Sequence, residues 1–209
     1  MRVELAEILR CPEPHEAAAL ITLASAREHG VLTAGVLGCP LCGAEYSLEG
    51  GAVSFLRSRE TPTSVPLDVD ASHDSDELSM RVAALLQLDY AALPVVHAAL
   101  MGTYARSARA LAQLSSVHIV AINAHASEYQ HVDALWLGHE QRLPFGDDAL
   151  VAAAVDASHA SYLADAVRVV RPGGRVIAPV TLPAPAGCRE LARDDREWVA
   201  EVVARNRGA

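Results

Sequence analysis

Cys39-Pro40-Leu41-Cys42-Gly43 is a Cys-x-x-Cys knuckle. Two residues between the thiolates let a tight turn aim both sulfurs at one point. Gly43 can take the positive φ that opens the turn and lets backbone N–H groups reach the sulfurs. Zinc takes four ligands in a tetrahedron, so one knuckle is half a site. Upstream, Cys11-Pro12-Glu13-Pro14-His15 offers a thiolate and an imidazole. Cys11, His15, Cys39 and Cys42 together make a Cys3His set for a structural zinc, with His29 the rival for the fourth place. Free thiols in a small sheet without metal are the alternative. A redox pair needs a low-pKa thiolate at a helix start, and the flanking sequence reads as strand. A segment of this size buries little core, and a structural zinc contributes on the order of 10–16 kcal/mol in small ribbon peptides, which favours the metal.

A second group of polar residues falls where a parallel sheet binds ligands, beyond the carboxyl ends of its strands. His97, Asn123, Asp156, Ser158 and His159 are the candidates there. Asp156-Ala157-Ser158-His159 holds the residue types of a nucleophilic relay. Residues so close along the chain are not expected to bond into one, and no nucleophile elbow is present. They read instead as caps of a helix starting near Ser161. His118, His125, His131 and His139 are scattered and read as surface or satisfied core residues. Cys188 reads as a core or surface thiol.

The elements that must position these groups differ along the chain. Residues 1–56 are short-patterned and turn-rich and hold three of the four cysteines. Residues 57–77, rich in Ser, Asp, Thr and Pro, read as a linker. From Leu78 to Ala209 helices alternate with buried strands: a helix over 78–90, a strand in LPVVHAALM, a helix over 104–114, then strands in VHIVAIN, DALWLG and ALVAAAVDA. A helix over 162–170 and a strand over 175–180 follow, and CRELARDDREWVAEVVARNR reads as a final helix. Continuous apolar strands between helices indicate a parallel sheet covered on both faces. The chain is 51% hydrophobic but only 4% aromatic, so Ala, Val and Leu must fill the core. Its net charge of −9 disfavours direct contact with nucleic acid. No apolar run reaches the roughly 20 residues a membrane span needs, and no signal segment is evident, so a cytoplasmic location is expected.

Two resemblances sharpen this reading. LAEILRCP followed by GVLTAGVLGCPLCGAEYSLEGGAVSFL, within Leu5–Leu56, resembles the small zinc-ribbon activator subunits of tRNA and protein methyltransferases and their bacterial relatives. Pro14 stands where that family has its second cysteine, and His15 follows one residue later. RLPFGDDALVAAAVDASHASYLADAVRVVRPGGRVIAPV, from Arg142 to Val180, resembles the second half of a class I S-adenosylmethionine-dependent methyltransferase. Phe145 is expected to plug the core, and Pro172-Gly173-Gly174 to turn a helix end into a strand. Together the resemblances imply a truncated Rossmann-like, class I methyltransferase-like α/β sheet with an N-terminal β-rich zinc ribbon.

The resemblance also states what a donor site requires: an acidic residue after the first strand, a Gly-x-Gly-x-Gly loop, and an Asp or Glu closing the second strand. Here VVHAALMGTYARSARAL places His97 at the acidic position and Ala99, Leu100 and Met101 in the loop, with Gly102 alone retained. Met101 is expected to intrude on the donor pocket. Asn123 closes the second strand, and Val151 stands where an Asp commonly follows the Leu-Pro-Phe turn. With a final helix after Val180, the expectation is that no sequence remains for the last two strands of that family's sheet. The expectation is a non-catalytic, methyltransferase-like protein that works by binding a protein partner, such as a methyltransferase, or a second copy of itself. An active methyltransferase that binds S-adenosylmethionine through an atypical loop is the alternative.

Overall fold

Short apolar stretches pair along the chain into a single mixed sheet. The computed structural model describes residues 1–56, 72–88, 95–124, 132–138 and 142–204. The first segment contributes α1 (Val3–Ile8), β1 (Ile21–Glu28), β2 (Val31–Gly38), β3 (Glu45–Glu49) and β4 (Ala52–Ser54). Next come α2 (Ser72–Leu86), β5 (His97–Met101), a 3-10 helix over Gly102–Ser107, α3 (Ala108–Leu114), β6 (His118–Ile122) and β7 (Val132–Trp136). The chain continues with β8 (Leu150–Ala154), a 3-10 helix over Ala157–Tyr162, α4 (Leu163–Val169), β9 (Val170–Pro179), β10 (Cys188–Arg193) and β11 (Glu197–Val202).

The strand order is β1-β2-β3-β4-β7-β6-β5-β8-β9-β11-β10. β7, β6, β5, β8 and β9 are all parallel. The order reverses at β5, as in doubly wound α/β sheets, and that reversal is where such sheets bind ligands. β5 and β8 are buried at every position, the pattern of strands covered on both faces. On one face Ala98, Leu100, Ile119 and Ala152 pack against Val82 and Leu86 of α2 and Leu111 of α3. On the other, Ala99, Met101, Val120 and Leu135 pack against Leu163 and Val167 of α4 and against Leu5, Leu9, Leu48 and Phe55 of the first segment.

The first segment therefore shares a core with the rest of the chain. β4 runs parallel to β7, with Ala52 opposite Ala134 and Val53 opposite Leu135. The Phe55 N–H donates to the Trp136 carbonyl at 2.8 Å. The Leu143-Pro144-Phe145 turn docks on the same segment: Arg10 N–H donates to Pro144 O at 2.9 Å, and Gly146 N–H to Ile8 O at 3.0 Å. Phe145 is 1% exposed and plugs this core as expected. Arg168 holds the turn from beneath, donating to the carbonyls of Leu143 and Phe145 at 3.0 and 2.8 Å. The Arg2 guanidinium pairs with the buried Asp133 carboxylate at 2.9 Å, tying the start of α1 to β7.

The parallel Rossmann-like sheet matches the expectation, with three corrections. The sheet is not truncated: Cys188–Arg193 and Glu197–Val202, read as one helix, form an antiparallel hairpin that adds to β9 through β11. Asp194 Oδ1 accepts the backbone N–H groups of Arg196 and Glu197 at 2.8 and 2.9 Å, making a turn where a helix was read. The strand it starts, Glu-Trp-Val-Ala-Glu-Val, buries Trp198 completely. The helix read over 104–114 is a 3-10 helix to Ser107 and an α-helix only from Ala108. The third correction is that α2 begins at Ser72, inside the stretch read as linker, and ends at Leu86 rather than 90.

Candidate functional site

The first segment folds so that two turns face each other. Cys11 follows α1, and the knuckle closes the β2–β3 hairpin. Cys11, His15, Cys39 and Cys42 present ligand atoms that all lie within 4.8 Å of one another. Cys11 Sγ is 3.8 Å from Cys42 Sγ, and His15 Nε2 is 3.2 Å from Cys11 Sγ and 3.5 Å from Cys39 Sγ. A tetrahedral zinc, at about 2.3 Å to sulfur and about 2.1 Å to nitrogen, needs edges of roughly 3.6–3.8 Å, so these separations fit its donor shell. His15 Nδ1 faces the Glu16 carbonyl at 2.6 Å, which holds the proton there and leaves the Nε2 lone pair toward the sulfurs.

The knuckle has the backbone its sequence implies. Gly43 sits at φ +72°, and its N–H donates to Cys39 O at 3.0 Å. The Cys39 thiol is brought down to about 7: burial pushes it up, and the N–H groups of Cys42 and Leu41 directed at its sulfur outweigh that. Cys11, 7% exposed, is pushed up to about 11, chiefly by burial. Tyr46 OH lies 3.2 Å from Cys11 Sγ and closes the inner side of the cluster. His29, the rival ligand, is in the β1–β2 turn at φ +48° and is not part of this group.

The carboxyl ends of β5, β6 and β8 carry the second cluster. Here the strand register corrects the donor-loop reading. β5 ends at Met101, so Ala99, Leu100 and Met101 lie inside the strand and not in a loop. Met101 is fully buried in the core. His97 begins the strand, at the opposite end of the sheet from the switch point. Gly102–Ser107, directly after the strand, forms a 3-10 helix in which Gly102, Tyr104 and Ala105 are buried.

What the surviving glycine makes room for is part of the chain itself. Gly102 has φ +58°, and a Cβ built there would land on the Asp156 carboxylate. Asp156 Oδ2 accepts the Thr103 N–H at 3.0 Å. Its Oδ1 lies 2.7 Å from His159 Nδ1 and accepts from Ser158 Oγ at 2.8 Å. Asn123 Nδ2 is 3.3 Å from His159 Nε2, and Asn123 Oδ1 accepts the Leu137 N–H at 2.7 Å. With the amide donating, Nε2 is the acceptor and the His159 proton rests on Nδ1, facing Asp156. Asp156, His159 and Asn123 are 5%, 2% and 2% exposed, while Ser158 and Thr103 at the group's margin are exposed. Burial pushes the Asp156 carboxyl up, but the hydrogen bonds from His159, Thr103 and Ser158 hold it below its ordinary value.

Asp156, Ser158 and His159 are thus hydrogen-bonded after all, which short chain spacing argued against. Asp156 does act as a cap, accepting the His159 N–H, but of the 3-10 helix that starts at Ala157 and not of a helix near Ser161; α4, from Leu163, has no side-chain cap. The arrangement is not a nucleophile relay. His159 Nε2 is occupied by Asn123, and Ser158 Oγ meets the Asp156 carboxylate at 2.8 Å and, at 2.9 Å, His159 Nδ1, the ring nitrogen that already faces Asp156, whereas a relay needs Ser and Asp on opposite ring nitrogens. Tyr104 is equally committed: its hydroxyl donates to Glu197 at 2.8 Å, and Glu197 also pairs with Arg81 of α2. His125, His131 and His139 lie outside the described residues.

No protein-family model matches this chain, and no curated protein matches it. Among solved structures, the [4+2]-cyclase SpnF is 22% identical, over 49% of this chain and 44% of its own, with a TM-score of 0.40. Geranyl diphosphate C-methyltransferase from Streptomyces coelicolor A3(2) is 14% identical, over 59% of this chain and 56% of its own, at 0.38. A chain of the complex containing the Haloferax volcanii Trm112 methyltransferase activator is 17% identical, over 51% and 56%, at 0.33. The chain spans about half the length of each. These likenesses are partial and distant, and the fold rests on the strand order itself. Among the described residues no helix is long and apolar enough to cross a membrane.

Proposed function

We propose that this chain is a non-catalytic, methyltransferase-like protein with a structural zinc ribbon, and that it acts by binding other proteins. The observation that carries the reading is the Asp156 carboxylate seated over Gly102. In a donor loop the missing Cβ serves a cofactor; here it serves Asp156. Tyr104, in the 3-10 helix that follows, is buried and bonded to Glu197. The Asp156–His159–Asn123 layer satisfies its own polar atoms, so an adenosine entering there would have to displace hydrogen bonds without returning them.

Cys11, His15, Cys39 and Cys42 are the proposed zinc ligands. Four protein donors leave no open position, which makes the ion structural rather than catalytic. Activator-type ribbons can extend a partner's sheet, and in this chain β4 does so to β7 of the same chain. The ribbon is therefore engaged within its own chain, and it stabilises the methyltransferase-like sheet it covers. β1 ends the sheet on the ribbon side, with Ile21 and Leu23 exposed, and is the edge a protein partner or a second copy would extend.

The decisive experiment is calorimetric titration with S-adenosylmethionine and S-adenosylhomocysteine. No saturable binding is expected up to millimolar ligand. Micromolar binding would overturn the reading in favour of an active methyltransferase with an atypical loop. Metal analysis of untagged protein is expected to find one equivalent of zinc, lost on substitution of Cys39.

A further inference from the structure

The amino ends of the central strands carry a feature that the ribbon and the switch point do not use. His97 opens β5 and His118 opens β6, and the parallel register sets them directly opposite each other. Both lie on the sheet face that α1 covers, on the same side as Ala99 and Val120. Their rings meet edge to face with centroids 5.2 Å apart. His97 is 2% exposed. His97 Nε2 and His118 Nδ1 are both buried and have no hydrogen-bond partner. Two neighbouring rings thus each leave a buried nitrogen unpaired, which is costly for polar atoms.

His97 also lines a cleft of about 430 Å³ between α1 and the amino ends of β5 and β8. Glu4 and Glu7 of α1 and Asp148 stand along it, against the single guanidinium of Arg171. The balance of charge favours a cation. Arg2 is close to both histidines, but its charge is offset by the bonded Asp133 carboxylate. Arg2 Nη2 is itself buried without a partner.

We propose that His97, His118 and Glu4 form a second metal site, for a first-row divalent ion of the zinc, nickel or cobalt class, where α1 of the ribbon segment meets the sheet. Paired imidazoles with one carboxylate suit such borderline ions better than calcium or magnesium. Two imidazoles on a tetrahedral ion, at about 2.1 Å per bond, hold their ring centres about 5 Å apart, the separation these rings already have. Glu4, exposed on the first turn of α1, lines the same cleft as His97 and is the carboxylate that would complete the set on turning inward. Arg2 Nη2 then supplies a donor to the ligating carboxylate, as carboxylate ligands commonly have. An ion there would tie the ribbon segment to the amino ends of β5 and β6, opposite the end where a methyltransferase would hold its donor.

The test uses full-length protein first saturated with one equivalent of zinc, then titrated with Ni²⁺. A further equivalent is expected to bind, with paramagnetic broadening of the His97 and His118 imidazole resonances. That broadening assigns the ion to this site whatever the ribbon holds. His118→Gln and Glu4→Gln are each expected to weaken the second step at least tenfold while zinc content stays at one equivalent. His97→Gln should abolish it, and because His97 is deeply buried, circular dichroism must first show that the variant folds. The proposal fails if Ni²⁺ shows no saturable second step, if it only displaces the first zinc, or if the second step is unchanged in both His118→Gln and Glu4→Gln.

Discussion

Replacing Gly102 by alanine separates a structural glycine from a cofactor glycine. The backbone at φ +58° lies in the left-handed region, which costs a residue with a Cβ about 1 kcal/mol. The larger effect is steric, because the new Cβ falls on the Asp156 carboxylate, which must move. Moving it releases the N–H of Thr103, which is exposed and can turn to water, and the buried His159 imidazole, which loses its carboxylate acceptor. A buried polar group left unsatisfied costs about 1–3 kcal/mol, so with the backbone cost the total is on the order of 2–4 kcal/mol. For a chain of this size that lowers Tm by roughly 5–15 °C, from a total stability of about 5–15 kcal/mol. Differential scanning calorimetry of the ligand-free protein is the assay. Asp156→Ala in the same chain should recover part of the loss, since the Cβ then has room, and the double-mutant cycle reads the coupling. If Gly102→Ala melts with the native protein, the glycine does not serve Asp156, and the argument against a donor site loses its footing.

Stripping the ribbon with a chelator is expected to remove hydrogen-exchange protection from β2 and β3 first, because a structural zinc in such a segment is worth on the order of 10–16 kcal/mol. Protection of β7 should fall with it, since β4 hydrogen-bonds to β7. Asp133→Ala leaves the Arg2 guanidinium partly buried without its carboxylate and should cost about 3 kcal/mol in urea denaturation. Asp156 has a carboxyl pKa held down in the folded state, so its contribution is complete above the unfolded value near ~4 and is lost as pH falls through the folded one. The stability gap between the native protein and Asp156→Asn, followed by urea midpoints, should therefore narrow only below about pH 4.

The sequence by itself determined what depends on local pattern and spacing. Cys-x-x-Cys-Gly set the knuckle, because the turn and its positive-φ glycine are properties of five adjacent residues. The core strands β6, β7 and β8 and helix α4 were legible from continuous apolar runs and the turn residues between them. Cys11, His15, Cys39 and Cys42 were readable as one Cys3His set from their types and spacing, and the structure brings their ligand atoms within 4.8 Å of one another.

Tertiary contact decided the rest. Charges in Cys188–Val202 are spaced as on a helix, but an Asp194 turn and the open edge of β9 make the segment a hairpin. The start of β5 cannot be placed from an apolar run, and that register moved Met101 from the pocket to the core and His97 to the far end of the sheet. Nothing in local spacing says that Asp156 will sit over Gly102, 54 residues earlier in the chain, or that β4 will pair with β7. Such pairings are settled by which surfaces bury one another once the chain is compact, and that is a property of the assembled sheet rather than of any stretch of residues.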